Sequence, residues 1–338
     1  MGLGQVIARR LALMVLVLLG VTLLTFLISH AIPGDPARLL AGQRASDEVV
    51  AQIRRNYGLD QPLYVQYIRY MSGLLRGDLG RSIRTGRPVG EDLARFFPAT
   101  LELVGTAMFL AVLIGVPLGV ASAARNNSWV DHLSRSVSVA GVSMPLFWLG
   151  IVALALFYGR LGWLPGSGRL SPFAIAPPTV TGLYLIDAAL AGDWATWRDA
   201  AVHLILPASC LAFVHVGIVA RQVRGSLLEV LHQDYIRTAH AYGVPPRRVL
   251  YRYALRNALV PALTVVGLAL GDLLAGAVVT ETVFAWPGMG SYVVDSITSL
   301  DFPAIMGFTV VVSVGYSVIN LMVDLITLRL DPRIRAMG

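Results

Sequence analysis

Residues 99–124 read ATLELVGTAMFLAVLIGVPLGVASAA, an apolar stretch in which Glu102 is the only charged residue. A helix rises about 1.5 Å per residue, so about 20 such residues cross a hydrocarbon core about 30 Å thick. The whole chain shares this character, since 56% of its 338 residues are hydrophobic, 14% are charged and the mean hydropathy is +0.67. Because unpaired backbone cannot face lipid, the sequence predicts an all-α polytopic membrane protein.

Six apolar stretches predict six transmembrane helices. The first follows Arg9 and Arg10, a pattern that a secretory signal peptide shares. Its apolar run is about twice the usual length for a signal peptide, and no small-x-small cleavage site follows, so an uncleaved first helix is favoured. The six predicted spans are 11–32, 99–124, 136–159, 200–220, 257–280 and 302–325.

The arginine distribution predicts the orientation in the membrane. All 27 basic residues are arginine, and 14 of them lie in the amino terminus, in the connections 125–135 and 221–256, and in the tail from 329. The short connections 160–199 and 281–301 hold three and none. Short loops rich in arginine stay on the cytoplasmic side, which puts both termini there. These arginines flank spans rather than form a basic domain, so nucleic-acid binding is not indicated.

Three regions follow from this topology. Residues 1–32 form the amino-terminal cytoplasmic segment and first span, 33–98 an external loop, and 99–338 a five-helix core that contains the cytoplasmic loop 221–256. The external loop holds ten arginines, but its 66 residues exceed the length to which the arginine rule applies.

Two short helices are predicted within the external loop. Ser46 can cap a helix with acidic residues in its first turn and arginines in its last, followed by Gly58. A second helix is predicted from Pro62, with one apolar stripe. Together they predict a small external helical cap, with surface helices lying in the lipid headgroups as the alternative.

Several kinds of chemistry lack a sequence signal. Without any lysine, the phosphate-binding loop that ends in Gly-Lys-Ser/Thr is missing, so the chain cannot hydrolyse ATP by that route. The six histidines are scattered and Cys210 is the single cysteine, so no metal site is indicated. Ser167 lies in a Gly-Ser-Gly turn, but no base is paired with it by spacing. We therefore expect no catalytic residue.

Charged residues in spans are costly in lipid and are candidates for function. Asp272 lies deepest, about fifteen residues into its span by the predicted boundary, and must face a cavity, a polar partner or a neighbouring subunit. Glu281 closes the same span. For Glu102 and Asp324, structural pairing is the favoured interpretation, whereas for Asp272 lining a pathway is as well supported as pairing.

The cytoplasmic loop 221–256, RQVRGSLLEVLHQDYIRTAHAYGVPPRRVLYRYALR, is too patterned for a linker. Its first part continues a helix out of the membrane, residues 234–242 form a short amphipathic helix ended by Gly243, and Pro245 and Pro246 break the chain before a returning helix. A short helix held on two struts is typical of a docking device. The alternative is an interfacial helix on anionic lipid.

This loop resembles the coupling region of binding-protein-dependent ABC importer permeases, in which a short cytoplasmic helix inserts into a groove of the ATPase subunit. It departs from the general pattern Glu-Ala-Ala-x-x-x-Gly, because Arg237-Thr238-Ala239 occupies the first three positions. The resemblance implies that the ATPase-coupling residues are Asp234, Tyr235, Ile236, Arg237, Thr238, Ala239 and Gly243.

Further segments carry the same resemblance over nearly the whole chain, and they are closest to the dipeptide and oligopeptide permeases. They are Ile32-Pro33-Gly34-Asp35-Pro36, Arg76-Gly77-Asp78-Leu79-Gly80, Ser143-Met144-Pro145, Thr181-Gly182-Leu183-Tyr184-Leu185-Ile186-Asp187, Ala254-Leu255-Arg256-Asn257-Ala258 with Pro261, Glu281-Thr282-Val283-Phe284, Trp286-Pro287-Gly288-Met289-Gly290 and Asp331-Pro332-Arg333-Ile334-Arg335.

The resemblance implies the type I ABC importer permease fold in the bacterial inner membrane, with a second homologous permease, two ATPase subunits that bind ATP-Mg, and an external substrate-binding protein as partners. This chain would bind no cofactor. The implied cargo is a dipeptide or oligopeptide, with nickel chelates, glutathione, haem and opines as alternatives. An ion-gradient-driven transporter or channel is the alternative function. The expected pathway residues are Ser143, Met144, Asp272 and Glu281.

Overall fold

The computed structural model describes residues 3–31, 37–38 and 45–330, and within these residues it is built from helices, which confirms the all-α class. The segments 32–36 and 331–335 that carry part of the family resemblance lie outside the described residues. The helices are α1 Leu3–Ala31, α2 Asp47–Tyr57, α3 Leu63–Leu74, α4 Val89–Ala124, α5 Trp129–Ser143, α6 Leu146–Ala153, α7 Tyr184–Leu190, α8 Trp194–Leu231, α9 Asp234–Ala241, α10 Leu255–Val283, α11 Met289–Thr298 and α12 Phe302–Leu330.

Two of these helices have π-helical neighbours. Helix α6 continues as a π-helix over Leu154–Arg160, and α10 is preceded by the short helix Pro246–Arg248 and the π-helix Val249–Ala254. Both therefore span more residues than their α-helical parts alone.

Five helices are long and apolar enough to cross a membrane, and the bent pair α5 and α6 provides a sixth candidate span. This agrees with the predicted number. The unbroken candidates are Ile7–Ala31, Val89–Ala124, Trp194–Leu231, Pro246–Val283 and Phe302–Thr327.

The third span is not the single helix that was expected over residues 136–159. It consists of α5 and α6, which are bent by 103°. The break lies at Met144, whose φ of −88° and ψ of 127° are extended. Proline disfavours helical conformation in the residue before it, so Pro145 ends α5 and starts α6. Proline inside a span indicates a kink, and at Pro145 the structure shows a full break between two helices.

The chain forms two compact units. The first, here the core unit, comprises Phe97–Ser291 and the chain from Tyr316 onward. The second, here the loop unit, comprises Leu3–Phe96 and Tyr292–Gly315. Helix α4 begins at Val89 rather than at residue 99, so it belongs to both units.

Glycines bring the helices of the core unit into close contact. A Cβ added to Gly217 of α8 would lie 2.7 Å from the Cα of Ser138 of α5. Added to Gly267 or Gly271 of α10, it would lie 2.0 Å from Val323 or Tyr316 of α12. The Gly267-x-x-x-Gly271 motif therefore serves packing, because only glycine permits this approach.

In the loop unit, α2 has the predicted caps. Ser46 accepts a hydrogen bond from the backbone N–H of Val49, and Gly58 is left-handed with φ 65°. Helix α3 packs on α1, since the rings of Tyr67 and Phe26 have centroids 5.3 Å apart and the Tyr67 hydroxyl lies 3.1 Å from the hydroxyl of Thr22.

Candidate functional site: the segment between α8 and α10

Helix α9 is attached to the ends of its neighbours by its buried face. Ile236 and Ala239 are buried. Both belong to a hydrophobic cluster formed with residues of α4, α8, the π-helix Val249–Ala254 and α10, including Val223, Leu227, Val249 and Ala254. The amphipathic pattern predicted for this helix is thus satisfied inside the chain, and α9 is held on two struts.

The carboxyl end of α9 is closed by Gly243, which is left-handed with φ 71°. The N–H of Gly243 donates to the carbonyl of His240 at 2.9 Å, and the N–H of Val244 donates to the carbonyl of Ala239 at 3.1 Å. This pair of bonds is the Schellman motif, which glycine favours because it has no Cβ. The predicted helix end is confirmed.

The remaining residues of α9 form an exposed polar face. Asp234, Tyr235, Arg237 and Thr238 are exposed. Nη1 of Arg237 lies 3.5 Å from Oδ1 of Asp234, and both side chains are largely in solvent, so this ion pair stabilises little and its members can change partners. The Tyr235 hydroxyl accepts a hydrogen bond from Nδ2 of Asn257 at 2.8 Å, which ties α9 to α10.

The seven predicted coupling residues therefore divide by position. Four of them face outward on α9, namely Asp234, Tyr235, Arg237 and Thr238. Ile236 and Ala239 fix the helix from beneath, and Gly243 ends it.

The sequence did not predict the ionic cluster around Asp131, which joins α5 to the part of α8 that precedes α9. Asp131 of α5 is fully buried and accepts hydrogen bonds from Ser122 of α4 at 2.6 Å, from Nε of Arg224 of α8 at 2.6 Å and from the backbone of Asn127 at 3.0 Å. Arg135 pairs with the same carboxylate. Charge-assisted bonds of this kind are strong, so they hold α8 to the α4–α5 turn.

The local sequence gave no sign of this cluster. Ser128 caps α5, so Asp131 looks like an ordinary first-turn acid. Only the fold brings Arg224 beside it.

Three of the expected pathway residues lie on the surface of this chain. Ser143 and Met144 are exposed at the break between α5 and α6. Asp272 is exposed in mid-span on α10, although its neighbours Gly271 and Leu273 are buried. A carboxylate at this depth needs a polar environment, since lipid would not solvate it.

Glu281 differs, because it is fully buried in the core unit. Its Oε1 accepts a hydrogen bond from Thr100 of α4 at 2.6 Å, and its Oε2 accepts one from the N–H of Ser291 at 3.0 Å. A Cβ added to Gly288 would lie 2.3 Å from this carboxyl group, and one added to Gly290 would lie 2.8 Å from Oε2. The motif Trp286-Pro287-Gly288-Met289-Gly290 therefore wraps the Glu281 carboxylate.

At the end of the core unit opposite α9, Glu102 forms the structural pair that the sequence favoured. Its Oε2 lies 2.5 Å from Nη2 of Arg169, and both side chains are buried. The guanidinium of Arg169 also stacks 3.5 Å from the ring centroid of Tyr184, and it donates to the carbonyl of Gly182 at 3.0 Å. The pair joins the connection after α6 to helix α4.

The segment 181–187 is a compact turn built on Asp187. Its carboxylate accepts the backbone N–H groups of Thr181 and Gly182 at 2.8 Å each, and the Thr181 hydroxyl at 2.8 Å. Burial alone would raise the pKa of Asp187, but these hydrogen bonds outweigh it and hold the pKa below its ordinary value.

The chain matches known protein families over most of its length. Residues 115–336 match the family described as binding-protein-dependent transport system inner membrane component, and residues 3–104 match the amino-terminal region of such membrane components.

Individual relatives cover nearly all of the chain. It is 60% identical over 330 residues to the probable D,D-dipeptide transport system permease protein DdpB of Escherichia coli K12, covering 98% of this chain and 97% of that protein. It is 45% identical to the dipeptide transport system permease protein DppB of Alkalihalophilus pseudofirmus, covering 97% and 98%. It is 40% identical to the glutathione transport system permease protein GsiC of Salmonella paratyphi A, covering 97% and 98%.

These matches agree with the resemblance carried by the sequence motifs, and they do not support an ion-gradient-driven transporter or channel. The chain therefore belongs to the family of inner-membrane permease components of binding-protein-dependent ABC importers.

Proposed function

We propose that this chain is the permease subunit of an ATP-driven importer of dipeptides, and that α9 couples it to the ATPase. One observation carries the coupling proposal: α9 is packed on its inner face by Ile236 and Ala239 and presents a polar face outward. Relatives named for dipeptide transport at 60% and 45% identity support the cargo.

The attachment of α9 suits the transmission of motion. Its buried face and the Tyr235–Asn257 hydrogen bond fix it to both α8 and α10, so a displacement of α9 moves both membrane helices. The ATPase subunits, which bind ATP-Mg, would close on nucleotide and shift α9, and this shift would switch the pathway from inward-facing to outward-facing. This chain itself supplies no group that hydrolyses ATP.

The translocation pathway would be bordered by Ser143, Met144 and Asp272, all exposed on this chain. In the assembly these residues would face either the cargo or a second, homologous permease. Glu281 would contribute through the loop that it holds rather than by contact with cargo.

The complete importer would contain this permease, a second permease, two ATPase subunits and an external binding protein that selects the cargo. Both termini would lie in the cytoplasm, with the region 33–98 outside as a helical cap and 99–338 as the translocating core. Cysteine-accessibility labelling of cells tests the orientation: labelling of a cysteine at Gly338 by a membrane-impermeant reagent from outside would contradict it.

Reconstitution tests the function. Vesicles that contain only this chain should leave labelled dipeptide outside, with or without a proton or sodium gradient. Vesicles that also contain the co-purifying permease and ATPase subunits should accumulate it when ATP and the binding protein are present. Gradient-driven uptake by the chain alone would overturn the proposal, and uptake of other cargo by the full assembly would overturn only the choice of dipeptides.

A further inference from the structure

The connection between α6 and α7 exposes unusually large apolar side chains. Phe173 is 98% exposed, Ile175 is 86% exposed and Val180 is 70% exposed. Such side chains are seldom left in water together, so a contiguous exposed group of them marks a contact surface.

The apolar loop 171–180 is held firmly at both ends. The backbone N–H and the hydroxyl of Ser171 each donate to the carboxylate of Asp199 at 2.7 Å. At the other end, the N–H groups of Val180 and Thr181 donate to Asp187 at 3.3 and 2.8 Å. The exposed side chains are therefore presented by an ordered turn.

The anchor at Asp199 fixes the level of the loop along the membrane normal. Asp199 lies in the second turn of α8, and the uncharged apolar run 200–220 of that helix begins at the next residue. Ser171 is bonded directly to Asp199, and two extended residues reach at most about 7 Å, so Phe173 lies close to the membrane boundary. This boundary is at the end of α8 opposite α9.

Exposed tryptophans in this connection and at the start of α8 indicate the same level. Trp163 is 69% exposed after α6, and Trp194 is 66% exposed at the start of α8. Tryptophan is enriched at membrane–water interfaces, where an apolar ring with one polar atom is best solvated. Ile186 and Leu190, one turn apart on α7, add an exposed apolar edge.

We propose that Phe173 and Ile175 insert into the boundary between headgroups and acyl chains in the leaflet opposite α9, so that the loop 171–180 anchors this end of the permease to lipid. A lipid surface is favoured over a protein partner because the loop is bonded to Asp199, which lies five residues after the exposed Trp194 and directly before the uncharged run of α8. The inference rests on the membrane location of the chain and is independent of cargo and ATPase coupling.

Site-directed fluorescence tests this contact in the importer, assembled stepwise in lipid nanodiscs. The variant is Phe173→Cys labelled with the environment-sensitive dye NBD, in a Cys210→Ser background. The Cys210→Ser protein, which has no cysteine in this chain, provides the blank when it is carried through the same labelling. The control is Gln233→Cys, an exposed polar residue just before α9, and both dyes are read before the ATPase subunits are added, so that no docked ATPase covers residue 233. The quenchers are phospholipids that carry a nitroxide near the headgroup.

The dye at residue 173 should emit at shorter wavelength than the dye at residue 233 and lose intensity with the nitroxide lipid, whereas the control should not. Emission typical of water without quenching would overturn the proposal. A blue shift without quenching would identify a protein contact instead. The contact would be with the second permease if the blue shift persists without the binding protein. It would be with the binding protein if the blue shift appears only when that protein is added. Either result would also overturn it.

Discussion

Replacing Gly243 by valine is the sharpest test of the coupling role of α9. Glycine adopts φ 71° here, and an added Cβ would meet no heavy atom within 4 Å. The substitution therefore introduces no clash within the chain, and its cost is backbone strain, about 1–3 kcal/mol for a left-handed residue other than glycine. A β-branched side chain lies at the upper end of this range.

The chain can escape this strain only by losing the hydrogen bonds that close α9, each of which contributes about 1 kcal/mol. Loss of the two hydrogen bonds is the cheaper route and costs about 2 kcal/mol, which corresponds to about a 30-fold loss in docking affinity. We expect Gly243→Val to insert normally, to retain little ATPase on co-purification and to lose uptake. The measurements are membrane abundance, the ratio of ATPase to permease, and uptake of labelled dipeptide.

Two controls separate docking from general damage. Asparagine tolerates the left-handed conformation, so Gly243→Asn should keep most of the ATPase. Gly192, at φ 69° with equally open surroundings, lies between α7 and α8 at the opposite end of the core unit. Gly192→Val imposes the same strain and should leave ATPase binding unchanged. Normal docking by Gly243→Val, or an equal loss in Gly192→Val, would refute the reasoning.

Three further predictions concern charged groups. Arg237→Glu reverses a charge on the exposed face of α9 and should abolish ATPase co-purification. The control Arg198→Glu lies at the other end of α8 and should retain the ATPase. Equal ATPase retention by the two variants would contradict the prediction. Asp131→Asn weakens the buried cluster, so we expect the free energy of unfolding to fall by about 1–3 kcal/mol and the melting temperature to drop. The control Asp234→Asn changes an exposed residue and should leave the melting temperature unchanged. The pKa of Asp187 is lowered by folding, so its stabilisation is present above the ordinary carboxyl pKa of about 3.9 and is lost as the pH falls through the lower folded value. Hydrogen exchange of the backbone amides of Thr181 and Gly182, corrected for intrinsic rates, should accelerate only in that acid range. Asp187→Asn should remove this acid dependence.

Most of the secondary structure follows from local patterns. Apolar runs long enough to cross lipid give the spans, because the bilayer imposes a length and forbids unpaired backbone. The caps of α2 and the end of α9 were also readable, since Ser46 and Gly243 act through their own backbone neighbours. The break in the third span follows from the same local chemistry, and Pro145 was sufficient to predict it.

The pairing of charges depended on contacts between residues far apart in the chain. The sequence marked Glu102 and Glu281 as costly in lipid, but it named neither partner. Arg169 lies 67 residues from Glu102, and Thr100 lies 181 residues from Glu281, so no spacing rule connects them.

The sequence by itself determined that this chain is helical, lies in the membrane and carries a short helix between two longer ones, because each of these properties depends on the periodicity and polarity of neighbouring residues. Only the tertiary structure decided which faces are covered. On α9 it buries Ile236 and exposes Arg237, and on α10 it buries Glu281 and exposes Asp272. Such choices depend on helix packing over long separations, where a glycine such as Gly267 admits a neighbour and fixes the rotation of the helix about its axis.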